Sequence, residues 1–218
     1  MKNYTDITVL VDRSGSMTSS REAMETAFTT FLREHRKIPS TRLTLIQFDD
    51  TNDQEVIYTA SPIKEASELV ISPRGNTPLI DATVKAVDAT GSRLRAIAEK
   101  DRPARVLMVV ITDGHENCSK AYSRTILRER IKHQAEHYNW QFIYLGADPN
   151  AVQEAASYGF NRNMSAFFVG EDAGFASMGQ AITTNTVAYA ASGDVSDLNF
   201  TKEQRNKMKS GDSTNSKA

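Results

Sequence analysis

Two apolar runs in this chain each stop on an aspartate. Thr8-Val9-Leu10-Val11 gives way to Asp12, and the run from Arg105 through Val106-Leu107-Met108-Val109-Val110-Ile111-Thr112 gives way to Asp113. Short, near-continuous apolar runs of this kind read as strands buried on both faces, the habit of a parallel sheet covered by helices. In open α/β sheets, ligands bind beyond the carboxyl ends of the strands where the strand order reverses, so the two aspartates meet if these strands are neighbours there. The first of them opens Asp12-Arg13-Ser14-Gly15-Ser16, a carboxylate and two hydroxyls at alternate positions, which an extended loop can turn inward together. Such an all-oxygen set favours Mg²⁺, Mn²⁺ or Ca²⁺ over Zn²⁺. Taken alone the pattern is weak, because Ser-Gly-Ser after a strand is also an ordinary turn.

A third piece lies between the two aspartates. Asn76-Thr77-Pro78-Leu79 places a hydroxyl just before a proline-started helix, where a helix cap is the plain explanation of Thr77. The three pieces in this order, D-x-S-x-S, then Thr-Pro-Leu, then Thr-Asp-Gly, resemble the metal-ion-dependent adhesion site of von Willebrand factor type A domains. The match is complete at Asp12, Ser14, Ser16, Thr77 and Asp113. The resemblance implies a doubly wound, Rossmann-like α/β fold: a mostly parallel six-stranded sheet with one antiparallel edge strand and helices on both faces. It further implies that these five residues hold a divalent ion, Mg²⁺ or Mn²⁺ ahead of Ca²⁺. An open position on the ion would then accept an aspartate or glutamate of a partner protein. On that expectation Arg13, Met17, Arg74, Asn76, His115 and Glu116 line the partner-binding face.

The rest of the chain alternates between helix and strand signals. Ser19-Ser20-Arg21-Glu22 reads as a capping box for a helix with the stripe Ala23, Met24, Ala27, Phe28, Phe31 and Leu32, closed by Pro39. Leu43, Leu45 and Ile46 lead into a strand ending at Gln47-Phe48-Asp49-Asp50, with Val56-Ile57-Tyr58 as its hairpin partner. Ile63 to Leu69 is expected as a short helix, and Leu79, Ile80, Val84, Val87, Leu94 and Ile97 as the buried face of a helix from Thr77-Pro78 to about Ala98. Ile126 to Tyr138 and Ala151 to Gly159 are further helices, Trp140 to Leu145 and Ala166 to Val169 the remaining strands. Phe175, Met178, Ile182 and Tyr189 mark a last helix. The domain is thus expected over 1–192. Beyond it, Gly193 to Ala218 reads as a polar, mobile tail in which Thr201-Lys202-Glu203-Gln204 can cap one helical turn behind Phe200.

Composition removes several function classes. With 218 residues, 39% of them hydrophobic, the chain fits one α/β domain. A formal net charge of -1 supplies no field for nucleic acid or an anionic membrane. The arginines at 93, 95, 124, 128 and 130 read as solvated helix faces. A lone cysteine, Cys118, and an N-terminus without a signal-type apolar region point to a cytoplasmic protein, a small intracellular member of prokaryotic or phage type if the resemblance holds. His133 and His137 stand four apart but lack a third ligand, and His115 with Cys118 is too sparse for zinc. The alternatives to an interaction module are a metal-dependent phosphoesterase, with His115 and Glu116 beside the ion, and a purely structural ion. No phosphate-cradling glycine loop, nucleophile elbow or second carboxylate cluster supports the enzyme, so a non-enzyme is expected.

Overall fold

The computed structural model describes residues 2–38 and 40–211. In chain order its strands are β1 (Lys2–Asp12), β2 (Thr41–Phe48), β3 (Glu55–Pro62), β4 (Pro103–Thr112), β5 (Gln141–Gly146) and β6 (Ser165–Phe167). Its helices are α1 (Arg21–His35), α2 (Leu79–Arg95), α3 (Arg124–Tyr138), α4 (Ala151–Tyr158), α5 (Asp172–Ser192) and α6 (Lys202–Ser210). The sheet runs β3-β2-β1-β4-β5-β6. Every pairing is parallel except β2 with β3, the hairpin at one edge. The chain leaves β1 toward β2 and β3, then restarts at β4 on the other side, so the order reverses between β1 and β4. There the register pairs Val11 with Ile111, which sets Asp12 beside Thr112 and brings the two strand-ending aspartates to one crevice.

Burial on both faces explains the unbroken apolar runs. Ile7, Val9 and Val11 of β1 point into a layer with Met24, Phe28, Phe31 and Leu32 of α1 and Phe175, Met178 and Ile182 of α5. Leu10 faces the opposite layer, with Ile46, Phe48, Val110 and Tyr144 of the sheet packed on Val84 and Val87 of α2 and Leu127 and Ile131 of α3. The inner strands β1, β2, β4 and β5 therefore present apolar groups at odd and even positions alike.

Three expectations need correction. Residues 63–69 form no helix. Ile63, Ala66, Leu69 and Ile71 are buried, but the segment is an irregular strap whose backbone is satisfied by side chains from other elements. Arg36 donates to the Ala66 carbonyl at 2.9 Å, Gln47 to the Val70 carbonyl at 2.9 Å, and the Ile71 amide to Glu25 at 2.8 Å. Those bonds replace the internal ladder a helix would need. Next, Ser20 is the N-cap of α1, yet its hydroxyl donates to the Gly170 carbonyl at 3.2 Å rather than capping the helix. Pro39, expected to close that region, lies outside the described residues.

The third correction concerns the C-terminal segment. The predicted capping box is present at Thr201, but it starts a nine-residue helix, not a single turn. Leu198, Phe200 and Met208 are buried in the same layer as α1 and α5. Arg205 donates to the Ser165 carbonyl at 2.6 Å and the Val169 amide to the Met208 carbonyl at 2.9 Å, so α6 lies along the short edge strand β6. Among the described residues only Leu198, Phe200 and Met208, widely spaced in sequence, bury apolar side chains here, which is why composition alone reads the segment as tail. The remainder of that expected tail, 212–218, lies outside the described residues.

Candidate metal centre

Asp12 closes β1 and is fully buried. Its Oδ1 accepts from the Ser14 amide at 2.7 Å and its Oδ2 from the Thr112 hydroxyl at 2.6 Å, so the neighbouring strand orients the carboxylate. After it the chain turns through a short 3₁₀ segment, Gly15–Thr18. That turn sets Ser14 Oγ 3.0 Å from Ser16 Oγ, and Ser16 Oγ donates to Asp113 Oδ1 at 2.6 Å. Adjacent ligands in an octahedron with bonds of 2.0–2.1 Å stand about 3.0 Å apart, so the serine pair has the spacing a small hard cation requires.

Thr77 joins this group from a third loop. Pro78 is the N-cap of α2 and makes no side-chain cap bond. Instead the loop after β4 caps the helix: the Ile80 amide donates to Glu116 at 2.8 Å and the Asp81 amide to Ser119 Oγ at 3.0 Å. The Thr77 hydroxyl is thereby released from the capping role that a local reading assigns to it. Gly114 shows where it points. A β-carbon built there would lie 2.9 Å from Thr77 Oγ1, 3.5 Å from Ser16 Oγ and 3.7 Å from Asp12 Oδ2. Oxygens of the serine loop and the threonine loop thus meet at one small space beside Gly114 of the loop after β4, whose Asp113 is bonded to Ser16, and only a residue without a side chain leaves that space open. Their chemistry, two carboxylates and three hydroxyls, fits a hard divalent ion with water completing its shell.

The electrostatics fit a cation as well. Burial pushes the Asp12 carboxyl up to about 6, against the lowering effect of its bonds from Thr112 and Ser14. Burial also raises Asp113, opposed by the Ser16 hydroxyl. Two desolvated carboxylates in one crevice are relieved by an ion of opposite charge.

The structure divides the residues expected on the surrounding face. Arg74, Asn76 and His115 are exposed there, along with Gly15 and Ser16. Met17 is 1% exposed and packs in the core, because the 3₁₀ turn rotates it inward. Arg13 is 3% exposed and ion-paired with Asp49 and Glu55, so it presents no charge to a partner. The Glu116 carboxylate is consumed by the amides of Ile80, Cys118 and Ser119 and by the Ser119 hydroxyl. These three are corrections to the expected face. Thr112 and Gly114 enter the sequence reading only as the flanks of Asp113 in Thr-Asp-Gly, with no role of their own, and Asn117 has none there either. Thr112 and Gly114 flank Asp113 and could have been marked by adjacency, whereas the bonds between Asn117 and Thr77 join residues forty apart and leave no local trace.

Other candidates resolve as structure. His133 and His137 stack with ring centroids 4.5 Å apart on α3, and among the described residues no group of three His, Cys, Asp or Glu side chains could hold a metal. Arg93 forms a two-pronged pair with buried Asp6 at 2.7 and 2.9 Å, so it is not a solvated charge as expected, and Arg130 pairs with Asp88. The His115 ring nitrogens face Asp148 at 3.1 Å and Glu154 at 3.8 Å, and neither Ser14 nor Ser16 is bonded to it. Among the described residues no helix is long and apolar enough to cross a membrane.

A doubly wound sheet with an oxygen-lined crevice at the β1/β4 switch point defines an open, Rossmann-like α/β class. The family profile of the von Willebrand factor type A domain matches residues 6–184, and the chain belongs to that family. No curated protein matches it in sequence. Among solved structures it is similar to proximal thread matrix protein 1 of the mussel byssus, with a TM-score of 0.59 and 14% identity over 85% of this chain and 48% of that one. A second structure of that protein, with a zinc-occupied adhesion-site motif, gives a TM-score of 0.57 and 10% identity over 84% of this chain and 46% of that one. The pilus adhesin SpaC of Lactobacillus rhamnosus GG gives 0.56 and 14% over 84% of this chain and 31% of that one. The chain thus spans about half the length of the mussel protein or less. At these identities the likeness concerns the fold.

Proposed function

We propose that the chain is a divalent-cation-dependent interaction module. Asp12, Ser14, Ser16, Thr77 and Asp113 hold the ion, and a partner protein supplies an aspartate or glutamate to its open position. The observation that carries this reading is the convergence of Asp12, Ser16 and Thr77 oxygens on the space beside Gly114, with Asp113 of that same loop bonded to Ser16. Ser16 and Gly15 are exposed, which leaves the site accessible from outside. An ion held largely by neutral hydroxyls stays electrophilic toward an incoming carboxylate. Arg74, Asn76 and His115 form the rim that such a partner meets. The oxygen-only set favours Mg²⁺ or Mn²⁺, and the zinc in the mussel relative makes Zn²⁺ the competitor to titrate alongside. A hydrolytic role is disfavoured because, among the described residues, neither serine is bonded to a basic side chain that would activate it.

The test is calorimetric titration of Mg²⁺ into wild type and Asp12→Ala, followed by pull-down in Mg²⁺ and in EDTA. Wild type should bind one ion and retain an acidic partner only in Mg²⁺, and folded Asp12→Ala should do neither. Undiminished Mg²⁺ binding by that variant would remove the assignment. A partner retained equally in EDTA would place recognition on another surface.

A further inference from the structure

The five oxygens come from three loops, so affinity for an ion depends on how those loops are fastened. The threonine loop is tied directly to the loop after β4: the Thr77 amide donates to Asn117 Oδ1 at 2.9 Å and the Asn117 amide to the Thr77 carbonyl at 3.2 Å. The serine loop meets the threonine loop through two backbone bonds, Gly15 amide to Gly75 carbonyl at 3.0 Å and Arg74 amide to Arg13 carbonyl at 2.9 Å. A side chain from a fourth place completes that joint.

Asp49, in the turn after β2, is 0% exposed and belongs to none of the ligand loops. Its Oδ1 accepts the amides of Thr51 at 2.7 Å and Asn52 at 3.0 Å, which pins the carboxylate to its own turn. Its Oδ2 accepts from Arg13 Nε and, at 3.1 Å, from Arg74 Nε. Arg13 stands between Asp12 and Ser14, and Arg74 stands just ahead of Thr77. One buried carboxylate therefore grips both loops with charge-assisted bonds, the stronger kind. Asp50 repeats the link on the outer side, accepting from Asn76 Nδ2 at 2.6 Å. It also leaves room only for glycine at Gly75, where φ is +66° and a β-carbon would fall 1.9 Å from Asp50 Oδ1.

We propose that Asp49 is the positioning residue of the cation site, fixing through Arg13 and Arg74 the separation between the serine loop and the threonine loop. This rests on the reading of the five oxygens as a cation site. Asp49 touches no ion; it acts on where the hydroxyls stand, as outer-shell partners of metal ligands do.

The experiment titrates Mn²⁺ into wild type, Asp12→Ala, Asp49→Asn, Arg74→Ala, Thr77→Ala and the Arg74→Ala/Thr77→Ala double variant, each checked for folding by circular dichroism. Arg74→Ala leaves Asp49 paired with Arg13, so it should fold and bind Mn²⁺ about tenfold more weakly. Asp49→Asn should lose at least as much, and if it does not fold Arg74→Ala carries the decision. In the Thr77→Ala background there is no hydroxyl left to place, so the Arg74 effect should shrink to about twofold or less. A merely structural clamp would lower the melting temperature without changing affinity in the folded protein. Unchanged Mn²⁺ affinity in folded Arg74→Ala, or losses that simply add in the double variant, would overturn the positioning role. Wild type that binds no Mn²⁺, or Asp12→Ala that binds it as tightly as wild type, would remove the cation reading itself and this inference with it.

Discussion

His35 ends α1 and is 0% exposed, packed against Phe31 with ring centroids 4.2 Å apart and the rings tilted by 40°. Its Nε2 lies 2.8 Å from Thr186 Oγ1, and that hydroxyl already donates to the Ile182 carbonyl at 2.7 Å. The imidazole must therefore carry its proton on Nε2, leaving Nδ1 buried with no hydrogen-bond partner among the described residues. Burial lowers the His35 pKa from 6.5 to about 4. The folded state thus binds fewer protons than the unfolded one in that interval, and stability falls as pH drops from 6.5 toward 4. The full loss is about 3 kcal/mol at 1.36 kcal/mol per unit. His35→Phe keeps the ring contact and removes the titration, so urea unfolding at several pH values should show a flatter acid limb for the variant. Parallel limbs would mean that His35 is not what the acid acts on. Burial of single side chains is also where sequence reading was weakest near the candidate site. Arg13 and Met17 occupy loop positions that look solvent-facing, and the 3₁₀ turn with the distant Asp49 and Glu55 draws them inward.

Elements closed by long, continuous signals were readable: β1, β2, β4 and β5 are apolar runs bounded by turn residues, and α1, α2 and α5 carry full stripes. Segments whose order depends on one distant contact at a time were not. The strap 63–71 has helical spacing of apolar residues but is held by Arg36, Gln47 and Glu25. The segment from Gly193 was equally opaque, although its capping box was readable. It lies beyond the residues matched by the family profile, yet it shares the core layer of α1 and α5. Truncation before Gly193 removes three buried side chains, Leu198, Phe200 and Met208, each contributing about 1.5–3 kcal/mol of transfer free energy. At roughly 2–4 °C per kcal/mol for a chain of this size, the melting temperature should fall by about 10 °C or more. A truncated chain that melts within about 2 °C of wild type would show that the packed segment contributes nothing net.

The molecule as a whole stores an electrostatic penalty at the switch point, and the proposed ion is what relieves it. Burial raises the Asp12 pKa from 3.8 to about 6, so without an ion the folded state binds the extra proton across that interval. Stability of the ion-free protein therefore contains a contribution present below pH 3.8 and lost as pH rises through about 6, worth roughly 3 kcal/mol at 1.36 kcal/mol per unit. Asp113, raised by the same cause, adds in the same direction. This runs opposite to the His35 contribution, so the two are separated by comparing EDTA with saturating Mg²⁺ at each pH, since only the Asp12 site responds to the ion. Near neutral pH both carboxylates are ionised and an ion at a hundred times its dissociation constant should stabilise the fold by about 2.7 kcal/mol, raising the melting temperature by roughly 5–10 °C. At about pH 5 a proton competes for Asp12, so the same Mg²⁺ concentration should give a clearly smaller rise. Thermal melts in EDTA and in Mg²⁺ at the two pH values supply the four numbers needed. An equal rise at both would mean that the ion does not bind through a buried, protonatable carboxylate. In that case the five-residue site, and with it the proposed route from fold to partner, would have to be placed elsewhere on the molecule.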